Sequence, residues 1–307
     1  MIDAEIQAFI EEGTRLYPVD AASRSIAEQR QLYDAYSAIF ALPRPPGLVV
    51  ENDALVLADR SIALRHYRRE TGTTRGTLVY AHGGGFMLGS LDSHDGVAAQ
   101  IAGRTGAEVV AVDYRLAPEH PAPAARDDVM AVVEAAARGT LPWAARADRL
   151  LLAGDSAGAM LVASVALLLR ERTDIPLAGL ALVYPTLGRE PAPPARDLEA
   201  DAPMLTLADV HYYRDLYLAG HEPDSWTFPL DAPTLDGFPP TFLLGAEHDP
   251  LRDDCTAFAE RLRQAGTPVE LYIGKGLVHG CLRAVGRSRS AAAAFDALIA
   301  AVDGWLG

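Results

Sequence analysis

The chain has 307 residues, half of them hydrophobic and 22% charged. Such a composition buries a large core and excludes wholesale disorder. Lys and Arg number 27 against 41 Asp and Glu, a formal charge of -14, and so acidic a surface repels phosphate backbones and anionic lipid headgroups. Nucleic acid and stable membrane association are therefore not expected.

Two helix-like patterns open the chain, Ala4–Leu16 and Ser25–Phe40, and stop at Pro43-Arg44-Pro45-Pro46. From there short apolar runs alternate with helical patterns. Strands are expected at Ile62–Tyr67, Thr77–Tyr80, Glu108–Val112, Arg149–Ala153, Ala178–Tyr184, Thr241–Gly245 and Glu270–Ile273. Helices are expected at Gly96–Ala102, Ala124–Arg138, Ala157–Glu171, Asp253–Ala265 and Ser290–Trp305. Several strands are continuous Val, Ile and Leu runs, the pattern of a parallel sheet covered on both faces. The alternation predicts a doubly wound α/β fold with its site at the strand C-termini. Residues 187–239 break the alternation. They are rich in Pro, Asp and aromatics and hold no convincing strand. They read either as a cap over the site, together with residues 1–45, or as edge packing and a surface loop. The cap reading divides the chain into residues 1–45 and 187–239 as cap and residues 46–186 and 240–307 as core.

Cys255 and Cys281 make neither a disulfide framework nor a Cys-x-x-Cys zinc pair. Met1 to Ile6 lack the basic and apolar regions of a secretory signal. The most apolar run, Ala157 to Leu169, is too short to span a bilayer. A cytoplasmic protein is expected.

The sharpest chemical signal is Gly154-Asp155-Ser156-Ala157-Gly158, set between an expected strand and an apolar helix. In that context Gly-x-Ser-x-Gly forms a sharp turn that exposes the serine Oγ at a helix N-terminus. A nucleophilic serine needs a base, and in this fold the order is serine, acid, histidine. Of eight histidines, only His211, His221, His248 and His279 follow Ser156. The first two lie in the strandless segment, and His248 adjoins an acid candidate. His279 follows the last strand after a Gly-rich loop, Gly274-Lys275-Gly276, from which a base can reach the serine, so it is the expected base. Asp249, just after the strand Thr241–Gly245, is the expected acid, with Glu247 its rival. Asp253 and Asp254 suit the first turn of the next helix. His82-Gly83-Gly84-Gly85 follows another strand. Its backbone N–H groups, with that of Ala157, can face the oxyanion of an acyl transfer. His82 is expected to hold this loop by hydrogen bonds.

Four linked motifs carry a resemblance: the His82–Gly85 run, Asp113-Tyr114-Arg115-Leu116-Ala117-Pro118-Glu119-His120, Gly154–Gly158 and Asp249-Pro250-Leu251-Arg252-Asp253. Over residues 50 to 305 the chain resembles the bacterial hormone-sensitive-lipase-like esterases. The resemblance implies an α/β-hydrolase fold, a mostly parallel sheet flanked by helices with a helical cap. It implies hydrolysis of small carboxylic esters, usually with short acyl chains, and neither metal nor cofactor. By position it makes Ser156, Asp249 and His279 a triad and assigns the oxyanion donors to Gly84, Gly85 and Ala157. Gly83 shapes the loop, and Arg115 and Glu119 belong to an internal polar network. Dimers are frequent in the group, so a homodimer is compatible with it. The chain departs from the pattern at Ala159-Met160, where Gly-Asn is usual, and at Cys281, where Phe is usual. Cys281 reads either as an oxidisable thiol in a widened pocket or as a small buried apolar residue. Lactone hydrolysis and acyl transfer would use the same residues. A non-catalytic ligand receptor on this scaffold is disfavoured by the intact serine, acid and histidine.

Overall fold

The central strands are apolar at successive positions because helices cover both faces of the sheet. In the strand Leu150–Asp155, Leu150 and Leu152 join one buried cluster, with Val129, Val162 and Phe258. Leu151 and Ala153 point to the other, with Ile101, Phe295 and Val302. Alternate side chains of a strand face opposite sides, so such a strand needs an apolar residue everywhere. The computed structural model describes residues 1–18, 21–143 and 148–307.

Eight strands form one sheet: β1 (Leu48–Val56), β2 (Ser61–Arg69), β3 (Thr77–Ala81), β4 (Glu108–Asp113), β5 (Leu150–Asp155), β6 (Leu177–Val183), β7 (Thr241–His248) and β8 (Val269–Val278). Their order is β1-β2-β4-β3-β5-β6-β7-β8. β2 pairs antiparallel with β1 and β4, and the remaining pairs are parallel. α4 (Ala124–Arg138), α5 (Ala157–Leu169) and α8 (Arg252–Gln264) pack on one face. α3 (Asp95–Thr105) and α9 (Arg289–Leu306) pack on the other. This is the expected fold class. No helix among the described residues is long and apolar enough to cross a membrane.

Two strands differ most from expectation, while β7 runs on from Gly245 to His248. β1 is absent from the sequence reading, because Glu51, Asn52 and Asp53 interrupt it and it lies at a half-exposed edge. β8 does not end at Ile273 but runs through the two glycines to Val278. Its pairing with β7 slips between Ala246 and His248. Gly276 there donates its N–H to Glu247 Oε2 at 2.7 Å, and its carbonyl accepts from Asp3 N at 3.1 Å. His279 thus follows a strand directly, without an intervening loop.

The chain's two irregular parts approach from opposite faces. α1 (Ala4–Leu16) and α2 (Ile26–Ile39) bury Ile6, Phe9, Ile10 and Tyr36 in the α3/α9 cluster. Ser25 and Glu28 close a reciprocal capping box at the start of α2. Residues 187–239 contain α6 (Ala195–Leu198) and α7 (Leu207–Leu218) and no strand. They bury Leu187, Tyr217, Phe228 and Leu235 in the α4/α5/α8 cluster. Tyr33 and Tyr36 of α2 and Tyr213 of α7 meet around one cleft, which also receives Ser156.

Candidate active site

β5 delivers Ser156 at φ 53° and ψ -121°, a conformation a non-glycine residue holds only under constraint. The constraint is packing. A Cβ at Gly158 would stand 2.1 Å from the carbonyl oxygen of Ala81, so the turn presses against β3. α5 then begins at Ala157, and its first N–H groups have no partner within the helix.

β8 ends one residue before His279, and β7 one residue before Asp249. His279 Nε2 lies 2.9 Å from Ser156 Oγ, and its Nδ1 lies 2.7 Å from Asp249 Oδ2. Asp249 is 0% exposed and His279 8%. The second carboxylate oxygen of Asp249 accepts from Leu251 N at 2.9 Å. The structure therefore brings Ser156, His279 and Asp249 into one hydrogen-bonded line. It does not bring the rival Glu247 there, because that carboxylate binds Gly276 on β8.

Among the described residues, the N–H groups of Gly84, Gly85 and Ala157 have no backbone acceptor. Gly85 and Ser156 line two adjoining spaces, with Ala157 in one and Gly84 in the other. Gly85 has φ 59°, and a Cβ on it would strike the Tyr213 ring at 2.3 Å. Only glycine lets α7 come down this close. His82 Nδ1 lies 2.8 Å from Gly83 O, and Tyr114 Oη donates to His82 O at 2.7 Å. The His82 ring stacks on Tyr114 and His94. Burial and the neighbouring His94 lower its pKa to about 3, so it stays neutral.

Three features escaped sequence reasoning. Asp155, the variable residue of the serine motif, accepts from Gly83 N at 3.0 Å and Tyr80 Oη at 2.7 Å. His94 Nε2 lies 3.3 Å from its other oxygen. Asp253 and Asp254 stand in the first turn of α8, but they serve residues 187–195 rather than the helix. Asp253 accepts from Ala195 N, and Asp254 accepts from Leu187, Gly188 and Ala192 N. Arg115 and Glu119 do not share an internal network. Arg115 pairs with buried Asp128 at 2.8 Å, while half-exposed Glu119 pairs with Arg30 of α2 at 2.7 Å. At Cys281, burial and the charge of Asp249 push the thiol up to about 12, so it stays protonated and packs as an apolar residue. Ala159 and Met160 are fully buried in α5.

An α/β-hydrolase-fold family model matches residues 78–283. The chain belongs to that family, in its hormone-sensitive-lipase-like branch. The chain is 39% identical over 206 residues to the esterase LipI of Mycobacterium tuberculosis, covering 66% of this chain and 64% of LipI. It thus spans less than two thirds of that relative. It is 30% identical over 294 residues to the acetyl esterase of Salmonella choleraesuis, covering 94% of this chain and 88% of that protein. Its fold superposes with a TM-score of 0.89 on a hyperthermophilic esterase from the archaeon Pyrobaculum calidifontis, at 27% identity over 99% of this chain and 98% of the other.

Proposed function

We propose that this member of the family is a serine carboxylesterase acting on short-chain acyl esters through an acyl-enzyme. The hydrogen-bonded line from Ser156 through His279 to Asp249 carries the reading. His279 Nε2 takes the Ser156 proton as Oγ attacks the ester carbonyl. Asp249 orients the ring and stabilises its charged form. The oxyanion develops against the free N–H groups of Gly84, Gly85 and Ala157, fixed donors that are worth about 3–4 kcal/mol each in acyl transfer. His82 and Gly83 hold that loop in place. His279 returns the proton to the leaving alcohol, and water then cleaves the acyl-enzyme. Residues 1–45 and 187–239 act as the cap, and they supply the aromatic walls of the cleft.

Two spaces meet at Ser156. One, of about 30 Å³, is lined by Phe86, Leu205, Val210, Phe228 and Leu251. So narrow a space suits a short acyl chain such as acetyl or propionyl. The other, of about 120 Å³, holds His279 and Gly280. The alcohol must leave beside His279, so its half of the ester belongs there. Beyond it, past Tyr33, Tyr36 and Tyr213, lies an open apolar chamber of about 580 Å³.

Ser156→Ala is expected to lower kcat for nitrophenyl acetate by about 10⁴-fold or more with an unchanged circular dichroism spectrum. In a nitrophenyl series from acetate to palmitate, rates peak at the short end. Turnover retained in Ser156→Ala contradicts the mechanism, and a maximum at palmitate contradicts the short-chain assignment.

A further inference from the structure

Three arginines line the spaces around Ser156: Arg189, Arg214 and Arg283. Arg189 pairs with Glu222 and Arg214 with Glu190. Arg283 differs. Among the described residues no carboxylate lies within ion-pair distance of its guanidinium, and its Nε is enclosed without a hydrogen-bond partner. Its Nη2 donates to Tyr33 Oη at 2.5 Å and, more weakly, to Ser37 Oγ at 3.5 Å. The guanidinium also lies 4.9 Å from the centre of the Tyr33 ring. Nη1 makes no hydrogen bond among the described residues. Asp155 acts on Arg283 through its charge but makes no contact with it. That carboxylate is committed to Tyr80, Gly83 and His94.

An enclosed guanidinium is normally matched by a carboxylate, because its desolvation is otherwise uncompensated. In a chain of net charge -14, acidic partners abound, so a cation without a carboxylate in this cleft stands out. It also stands on the leaving-group side, four residues beyond His279, and lines the same space as Tyr213. Tyr36, whose buried hydroxyl also lacks a partner, stands in the same wall. The aromatic chamber lies next to that wall, sharing Tyr33, Tyr36 and Tyr213 with the cleft.

We propose that Arg283 is a specificity-determining residue that binds a carboxylate on the alcohol half of the substrate. The preferred substrates are then short-chain esters of aryl alcohols or phenols that carry a carboxylate. This deepens the esterase reading and rests on it. The substrate's carboxylate supplies the charge-assisted hydrogen bond that Nη1 lacks, and the tyrosines hold its ring.

The test compares para-acetoxyphenylacetate with its neutral isostere para-acetoxyphenylacetamide, which have closely similar leaving groups. Wild type is expected to favour the charged ester in kcat/KM by about tenfold or more. Arg283→Met keeps much of the apolar stem and brings this ratio to one or below, through KM of the charged ester. Arg283→Lys keeps part of the preference. Both esters see the same folded fraction, so the ratio is unaffected by partial misfolding, and the wild-type ratio needs no variant. A merely structural role for Arg283, tying α2 to the segment after His279, would lower both rates together. A wild-type ratio at or below one, or a ratio unchanged in Arg283→Met, overturns the proposal. If wild type turns over neither ester nor nitrophenyl acetate, the esterase reading itself has failed.

Discussion

Asp155 joins the serine turn to the glycine loop. Burial alone would push its carboxyl up, but His94, the Tyr80 hydroxyl and the charge of Arg283 outweigh it. The group is held well below the ordinary carboxylate range. Its unfolded value is about 3.9, so the stability it contributes is present above about pH 4 and is lost as pH falls below that. Asp155→Asn is expected to flatten the acid limb of the stability curve, measured by urea unfolding at a series of pH values. It should also lower kcat by about tenfold, less than removal of an oxyanion donor, because Gly83 keeps only a neutral amide oxygen as its anchor, a weaker acceptor than the carboxylate. An unchanged acid limb contradicts this role. That Ser156, Asp249 and His279 meet is expected from chain order and local context. The placements of Asp155 and Arg283 are not. The Gly83 partner of Asp155 is 72 positions away, and the significance of Arg283 lies in the lack of a carboxylate beside it among the described residues.

α8 shows how an element's sequence can be read correctly and its purpose missed. Two acids in a first turn suit the helix dipole, yet here both hold the segment that follows β6. Burial raises the Asp254 carboxyl to about 7 even though three backbone N–H groups bond to it. The folded chain therefore keeps this proton at pH values where the unfolded chain, near 3.9, has released it. That contribution is full below about pH 4 and is lost as pH rises through about 7. Asp254→Asn removes the ionisation, so its thermal midpoint should fall less than that of wild type from about pH 5 to about pH 8. Asp254→Ala leaves three N–H groups unmatched and should cost about 2–4 kcal/mol in urea unfolding. Equal slopes in wild type and Asp254→Asn contradict the assignment. The same scale explains the two misread strands. Period and apolarity identify strands covered on both faces, such as β3 and β5. They fail at β1, which is polar at its centre. They fail again at β8, where glycines that look like a loop occupy a slipped pairing beside the start of α1.

At the scale of the whole molecule, the site exists because the sheet gathers residues that the chain keeps far apart. Ser156 and His279 are 123 positions distant, and His279 and Asp249 are 30. The strand order puts β5, β6, β7 and β8 side by side, so their C-terminal ends open on one cleft. Helices from opposite faces complete it, and no local pattern in α2 or α7 indicates that Tyr33 and Tyr213 converge there. The claim on which the rest depends is that Ser156 is the activated nucleophile. Stoichiometric labelling with a fluorophosphonate, followed by intact-mass measurement and peptide mapping, tests it most directly. The account predicts one adduct per chain, on Ser156, absent in Ser156→Ala and much slower to form in His279→Ala. No adduct on the wild-type protein, or an adduct on any other residue, would contradict it.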